Sequence, residues 1–199
     1  MGLVIKKLYY RIREVFFKYG EKWDALSPLE DEAIEFAKNN INESPVYHKP
    51  TDTEYVVASS SMTINDRFRI NDGNHYDFEH ARYIEEKYCL KNDIVVYRGV
   101  SQGPYEKMII AAKGVKGIDF LEKGFLNTSI VKEKQIAHDI QLRIYIPKGT
   151  PAYYVGNISG EEELYYEVIV QIGAKLKIVS MDNQYINCKL IQTSTFLHE

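Results

Sequence analysis

A glutamate inside an apolar strand needs a reason. In Tyr165-Tyr166-Glu167-Val168-Ile169-Val170 one carboxylate interrupts aromatic and β-branched residues. Burying it is costly without partners. Two readings follow from this segment: a solvent-facing residue on a half-buried strand, or a carboxylate placed for chemistry. Other residues favour the second. Arg98 ends the run Ile94-Val95-Val96-Tyr97 and is followed by Gly99. A guanidinium at the end of a buried strand needs an anion, and its fork of donors suits a carboxylate or a phosphate. A salt bridge within the sheet is the alternative. Arg69 closes Ile64-Asn65-Asp66-Arg67-Phe68-Arg69, a second basic cluster among polar residues. Asn127-Thr128-Ser129 places three consecutive hydrogen-bonding side chains on one strand, Gly124 to Ile130.

Helices must precede these strands. Leu8, Ile12, Val15, Phe16 and Tyr19 recur at helical spacing between Leu3 and Tyr19, with Lys6, Lys7, Arg11, Arg13 and Lys18 on the remainder. The expectation is a helix docked on its own domain; a membrane-surface helix is the alternative. Charges interrupt every apolar run, so the segment does not read as a signal peptide. Lys6 stands where myristoylation prefers Ser or Thr. Ser27, Pro28 and Glu30 predict a capping box opening the helix LEDEAIEFAKNN. Residues 44–53, with Pro45 and Pro50, read as a loop. Tyr55 to Met62 fits helix or strand. Asp72-Gly73-Asn74 is a turn, Asp77 to Tyr88 a helix, and Pro104 to Lys113 a helix closed by Gly114. Strands follow at 141–146, 152–155, about 164 onward, 175–179 and 189–196. Helices first and short strands after predict an α+β fold.

Composition narrows the class. The chain has 199 residues, 45% hydrophobic, with a net charge of -3. That suits one domain, residues 23–199, with an N-terminal helix in 1–22 packed on it, and argues against a general nucleic-acid binder. No apolar run is long enough to span a membrane. Cys89 and Cys188 read as reduced core thiols. His75 and His80, five apart on a helix, diverge and make no metal pair.

The motifs in order resemble a known family. YRG at 97–99, GFLNTS at 124–129, PKGT at 147–150 and YYEVIVQIGAKLKI at 165–178 resemble the Arg–Ser-Thr-Ser–Glu ADP-ribosyltransferases. Within them the chain is most similar to the bacterial group of Rho-modifying exoenzymes and actin-modifying binary toxins. INDRFR at 64–69 resembles that group's Ile-Asn-x-x-Leu-Arg signature, with Phe68 for Leu. The stretch from Trp23 through LSPLEDEAIEFA resembles its N-terminal helices, so the likeness covers about residues 23–179.

The resemblance implies N-terminal helices packed on two small, mostly antiparallel sheets, with NAD, as substrate, in the cleft between them. It implies mono-ADP-ribosylation of a protein by a secreted or delivered toxin or effector, with no metal. NAD glycohydrolysis and an inactive partner-binding module are the alternatives. Glu167 would be the catalytic glutamate. Arg98, with Gly99 beside it, would bind an NAD phosphate or the adjoining ribose. Arg69 would reach the pyrophosphate, Asn65 would orient the cofactor, and residues 127–129 would line the nicotinamide-ribose pocket. The chemistry is consistent: two guanidiniums suit two phosphates, and a fixed carboxylate stabilises an oxocarbenium-like ribose. The fingerprint of NAD dehydrogenases is absent.

Two residues depart from the family pattern. Asn127 replaces the first Ser, and its amide can donate to the glutamate in the same way. Tyr165 stands two residues before Glu167, where the family has Glu for arginine targets or Gln for others. Strand alternation predicts Tyr165 on the face of Glu167, where a neutral phenol would position an acceptor without deprotonating it. A register using Glu161 and Glu163 is disfavoured, because Gly173 falls six residues after Glu167 as in the family's strand-turn-strand. The loop about Asn157–Tyr165 would then contact the protein target.

Overall fold

The computed structural model describes residues 3–42, 52–156 and 165–196. Helix α1 spans Leu3–Phe17 and stops where Lys18 takes a left-handed backbone, φ 51° and ψ 47°. Helix α2, Tyr19–Asp24, brings Trp23 against Val95, Tyr97 and Tyr185. A 3₁₀ turn at Glu30–Glu32 opens α3, Ala33–Asn40. Ser27 does not cap it as expected. Its hydroxyl bonds the Tyr97 hydroxyl at 2.7 Å, and Glu32 accepts instead from the Leu29 amide at 3.3 Å. The loop read at 44–53 lies mostly outside the described residues.

The segment with an ambiguous pattern is helical throughout, as α4, Thr53–Arg69. Val57, Ile64 and Phe68 form its buried stripe, and Asn65 and Arg69 stand one turn apart. Asn74 then caps α5, His75–Lys87, its Oδ1 accepting from the Asp77 amide at 3.0 Å. Both helices pack on Phe125, Tyr153 and Ile169. Helix α6 spans Gln102–Ala111.

The strands are β1 Ile94–Val100, β2 Phe120–Glu122, β3 Leu126–Ser129, β4 Ile140–Ile146, β5 Ala152–Gly156, β6 Glu167–Val170, β7 Ala174–Met181 and β8 Ile186–Gln192. Strand β2 was not anticipated. The two small sheets expected are a single hydrogen-bonded order, β2-β7-β8-β4-β1-β3-β6-β5. Every pair is antiparallel except β4–β8. Its thinnest junction is β1–β3, where Tyr97 and Ser129 are the only register partners. Apolar alternation marks strands but not which ladders join them, so one sheet and two could not be told apart.

The order cannot be flat. Strand β2 lies four places from β1, about 19 Å at the usual strand spacing. Yet Arg98 on β1 reaches Glu122 on β2 at 3.0 Å. The sheet curls, and Lys123-Gly124-Phe125 carries the chain from its β2 edge to β3 beyond β1. The curl encloses the largest core, where Ile94 and Val96 meet Leu126, Val168, Val170 and Leu176. Each such side chain contributes roughly 1.5–3 kcal/mol on burial. Cys188 is buried as expected, but Cys89 is exposed, so only one of the two thiols is a core residue.

Candidate active site

Glu167 opens β6 and is half-buried. Antiparallel pairing sets Ser129 opposite Glu167 and Asn127 opposite Ile169. Asn127 is therefore diagonal to the glutamate on the same face, within side-chain reach. Its Nδ2 donates to Glu167 Oε1 at 2.8 Å. Asn127 is itself held, because Asn65 Nδ2 donates to its Oδ1 at 3.0 Å. Asn65 also clamps the Phe125 backbone, donating to its carbonyl at 2.9 Å and accepting from its amide at 2.6 Å. Gly124 makes room for this clamp: a Cβ there would stand 2.3 Å from Asn65 Oδ1. Asn65 thus orients Asn127 and the Phe125 backbone.

The two arginines converge on one carboxylate that the sequence reading did not single out. Glu122 is fully buried. Arg69 grips it through two bonds, Nε to Oε1 at 3.1 Å and Nη2 to Oε2 at 2.8 Å. Arg98 Nη2 donates to the same Oε2 at 3.0 Å, and the Gly124 amide donates to Oε1 at 3.2 Å. Arg98 Nη1 donates to the Asn127 carbonyl at 3.3 Å. Burial opposes charge on Arg69, but the bonds to Glu122 outweigh it and its pKa lies above the usual arginine value. Burial pulls the Arg98 pKa down, against the attraction of Glu122 and, less strongly, Glu167. Neither change discharges a guanidinium. The anion foreseen for Arg98 is therefore, in this state, a salt bridge inside the fold.

Thr128 and Ser129 turn their hydroxyls to the backbone. Thr128 donates to the Val168 carbonyl at 2.8 Å and Ser129 to the Val131 carbonyl at 2.9 Å. Of the three residues, Asn127 is the one bonded to the glutamate. Gly99 has a packing reason, since a Cβ there would meet the Ile136 carbonyl at 1.8 Å. Tyr165 is half-buried and precedes the strand, and Tyr166 between it and Glu167 has φ 47°. Strand alternation therefore does not carry Tyr165 onto the glutamate's face. Tyr166 is buried in the main core. Glu161, Glu163 and the loop 157–164 lie outside the described residues.

Among the described residues no three His, Cys, Asp or Glu side chains gather as metal ligands. A cavity of about 460 Å³ lies between α1 and the sheet, lined by Tyr10, Tyr105, Phe120 and Ile178, among others. It touches none of Arg98, Asn127 or Glu167, and its size alone does not make it the seat of chemistry.

A fixed carboxylate, an amide that holds it and two convergent arginines all fall in the region that matches a family model. The model described as ADP-ribosyltransferase exoenzyme matches residues 40–199. The chain belongs to the ADP-ribosyltransferase exoenzyme family. Solved structures share its fold. The Clostridium limosum C3 exoenzyme is 19% identical with a TM-score of 0.59, over 83% of this chain and 96% of that one. C3larvin toxin, an ADP-ribosyltransferase from Paenibacillus larvae, is 20% identical with a TM-score of 0.54, over 73% and 96%. C3stau2 from S. aureus, solved with NAD, is 17% identical with a TM-score of 0.52, over 89% and 94%. No curated protein sequence matches the chain. Helices α1 and α2 precede the part matched by the exoenzyme family model.

Glu122 carried a readable signal. Two guanidiniums in one site call for an anion of the protein's own, and Glu122 lies two residues before the Gly124 strand.

Proposed function

We propose that the chain is an NAD-dependent protein mono-ADP-ribosyltransferase in which Glu167 carries the chemistry and Arg98 and Arg69 hold the dinucleotide. The observation that carries this reading is the 2.8 Å bond from Asn127 to Glu167, made by a residue whose carbonyl also takes a bond from Arg98. One residue thus joins the carboxylate to the cationic cluster.

The residues suit NAD as a substrate. Two guanidiniums against one buried carboxylate leave a positive charge and uncommitted N–H donors for the pyrophosphate. Asp66, also on Arg69, is largely exposed and easily displaced. Glu122 keeps the two forks in register. When the ribose C1′–nicotinamide bond breaks, the bonding pair leaves with nicotinamide and positive charge develops on the ribose. Glu167 stabilises that charge without reorganising, because Asn127 and Asn65 already hold it. The acceptor side chain then bonds C1′ and releases its proton to solvent. A phenol at Tyr165 is a poor base near neutral pH, so the acceptor is not taken as an arginine handled by a second carboxylate at that position. The target would be met by the loop about Asn157–Tyr165.

The test is incubation of the chain with adenylate-labelled NAD and a eukaryotic lysate, beside the Glu167→Gln variant. A labelled protein band that disappears with the variant supports transfer. Free ADP-ribose without a band makes the protein a glycohydrolase. Absence of both products overturns the proposal.

A further inference from the structure

Helix α1 is docked the wrong way round for a helix that belongs to a core. It packs against β7, yet its sheet-facing anchor is polar. Glu14 accepts from the Asn187 side chain at 3.0 Å, from the Ser180 hydroxyl and from the Gly20 amide at 2.8 Å. Tyr10 shares that half-buried side. The apolar stripe expected to dock instead faces away. Ile5, Leu8, Tyr9, Ile12, Val15 and Phe16 are all exposed, Val15 by 75% and Phe16 by 78%. At 3.6 residues per turn these six occupy one continuous arc. Arg11 and Arg13 flank it on either side, with Lys7 and Lys6 farther round toward the sheet.

We propose that this arc is a docking surface for an anionic lipid bilayer. An amphipathic helix with cations along both borders of its apolar face lies in the plane of a membrane, its apolar side sunk roughly 5–10 Å into the headgroup boundary. Lys and Arg there run their stems along the apolar face and lift their charges to the phosphates. The single acid of the helix, Glu14, is turned inward, so every charge beside the arc is cationic. The chain's net charge is -3, so attraction to an anionic surface is a local property of α1. A second copy fits less well, since pairing two such arcs brings their basic borders together. A protein that wraps a helix on all sides would have to strip Glu14 from Ser180 and Asn187. A flat bilayer needs only the arc already exposed. No described helix is long and apolar enough to cross a membrane, so the contact is peripheral.

The full chain is sedimented with phosphatidylcholine vesicles, with and without phosphatidylserine, and NAD cleavage is measured in parallel. Binding is expected only with phosphatidylserine. Lys7→Gln with Arg11→Gln should lower it roughly 30-fold, from about 1 kcal/mol per cation near the surface. Ile12→Ser with Phe16→Ser should lower it roughly tenfold or more, because both side chains are the ones buried in lipid. Both pairs are exposed and distant from the catalytic cluster, so NAD cleavage should not change. Absence of phosphatidylserine-dependent binding overturns the proposal. So does binding that survives the Ile12→Ser and Phe16→Ser pair, which would be adsorption by charge alone. A lipid-free dimer in sedimentation velocity that the same pair abolishes would assign the face to a second copy instead.

Discussion

Asn127 donates from Nδ2 to Glu167 Oε1 at 2.8 Å across the diagonal of the β3–β6 pair. The donor compensates part of the cost of a half-buried carboxylate, and the strand register makes the contact without bending either chain. A hydrogen bond to a charged group contributes about 1.5–3 kcal/mol. Asn127→Ala should therefore lower kcat for nicotinamide release by roughly 10- to 150-fold. KM for NAD should change much less. Asn127→Ser keeps a hydroxyl donor at the same place and should recover part of the rate. Equal rates for Asn127→Ala and the parent would remove the residue from the reaction.

Arg98 and Arg69 share Glu122, so each has two roles. Arg98→Ala should weaken NAD binding by about 1.5–3 kcal/mol, the scale of bonds to charged groups. Calorimetric titration of the folded variant reads this directly, and unchanged affinity would exclude Arg98 from the site. Glu122→Gln leaves two buried guanidiniums without their carboxylate and should cost about 3–5 kcal/mol of stability in urea unfolding. A stability change below about 0.5 kcal/mol, the range of ordinary surface substitutions, would mean the cluster is not held by Glu122.

Much of this arrangement was legible in the sequence. The β-branched run ending in Arg98, the turn at Asp72–Asn74 and the alternation in β4 each mark their element locally. The Asn127–Glu167 contact followed from motif order. What could not be read depends on curvature and lateral pairing. Glu122 meets Arg98 only because the sheet curls, and nothing within Phe120–Glu122 encodes that. The periodicity of α1 gave the helix and its apolar stripe, but periodicity does not say which side docks. Glu14 decides that, through Ser180 and Asn187, which are over 160 positions away in the chain. The period-two argument for Tyr165 does not apply across Tyr166, whose backbone is left-handed.

Glu54 ties α4 to α5. It accepts from Lys87, from the Tyr88 hydroxyl and from the Tyr83 hydroxyl, the last at 2.9 Å. Burial alone would raise its pKa, but the bonds from Lys87, Tyr88 and Tyr83 outweigh this and hold it at about 2, against a usual 4.5. A carboxylate depressed in the folded state stabilises above its unfolded pKa and loses that contribution as pH falls. The contribution, on the order of 3 kcal/mol, should be complete above about pH 4.5 and disappear as pH falls toward 2. Urea midpoints of the parent and Glu54→Gln should therefore converge across that window. A gap of constant size from pH 7 to the acid limit would contradict the assignment.

Tyr165 stands two positions before Glu167 and is half-buried. If it positions the acceptor, Tyr165→Ala and Tyr165→Phe should leave NAD hydrolysis within about twofold while lowering protein labelling roughly tenfold, the scale of one lost neutral hydrogen bond. Unchanged labelling in both variants, or arginine found by mass spectrometry as the modified residue, would contradict this role.

The most direct measurement is the rate of nicotinamide release by Glu167→Gln, set beside Glu163→Gln. Glutamine keeps the shape and the bond from Asn127 but removes the charge that meets the developing ribose cation. Loss of a preorganised electrostatic contact lowers kcat by about 10²–10³-fold. The expected result is a loss of that size for Glu167→Gln, with Glu163→Gln near the parent rate. A parent-like Glu167→Gln with an inactive Glu163→Gln would place the chemistry in the other register.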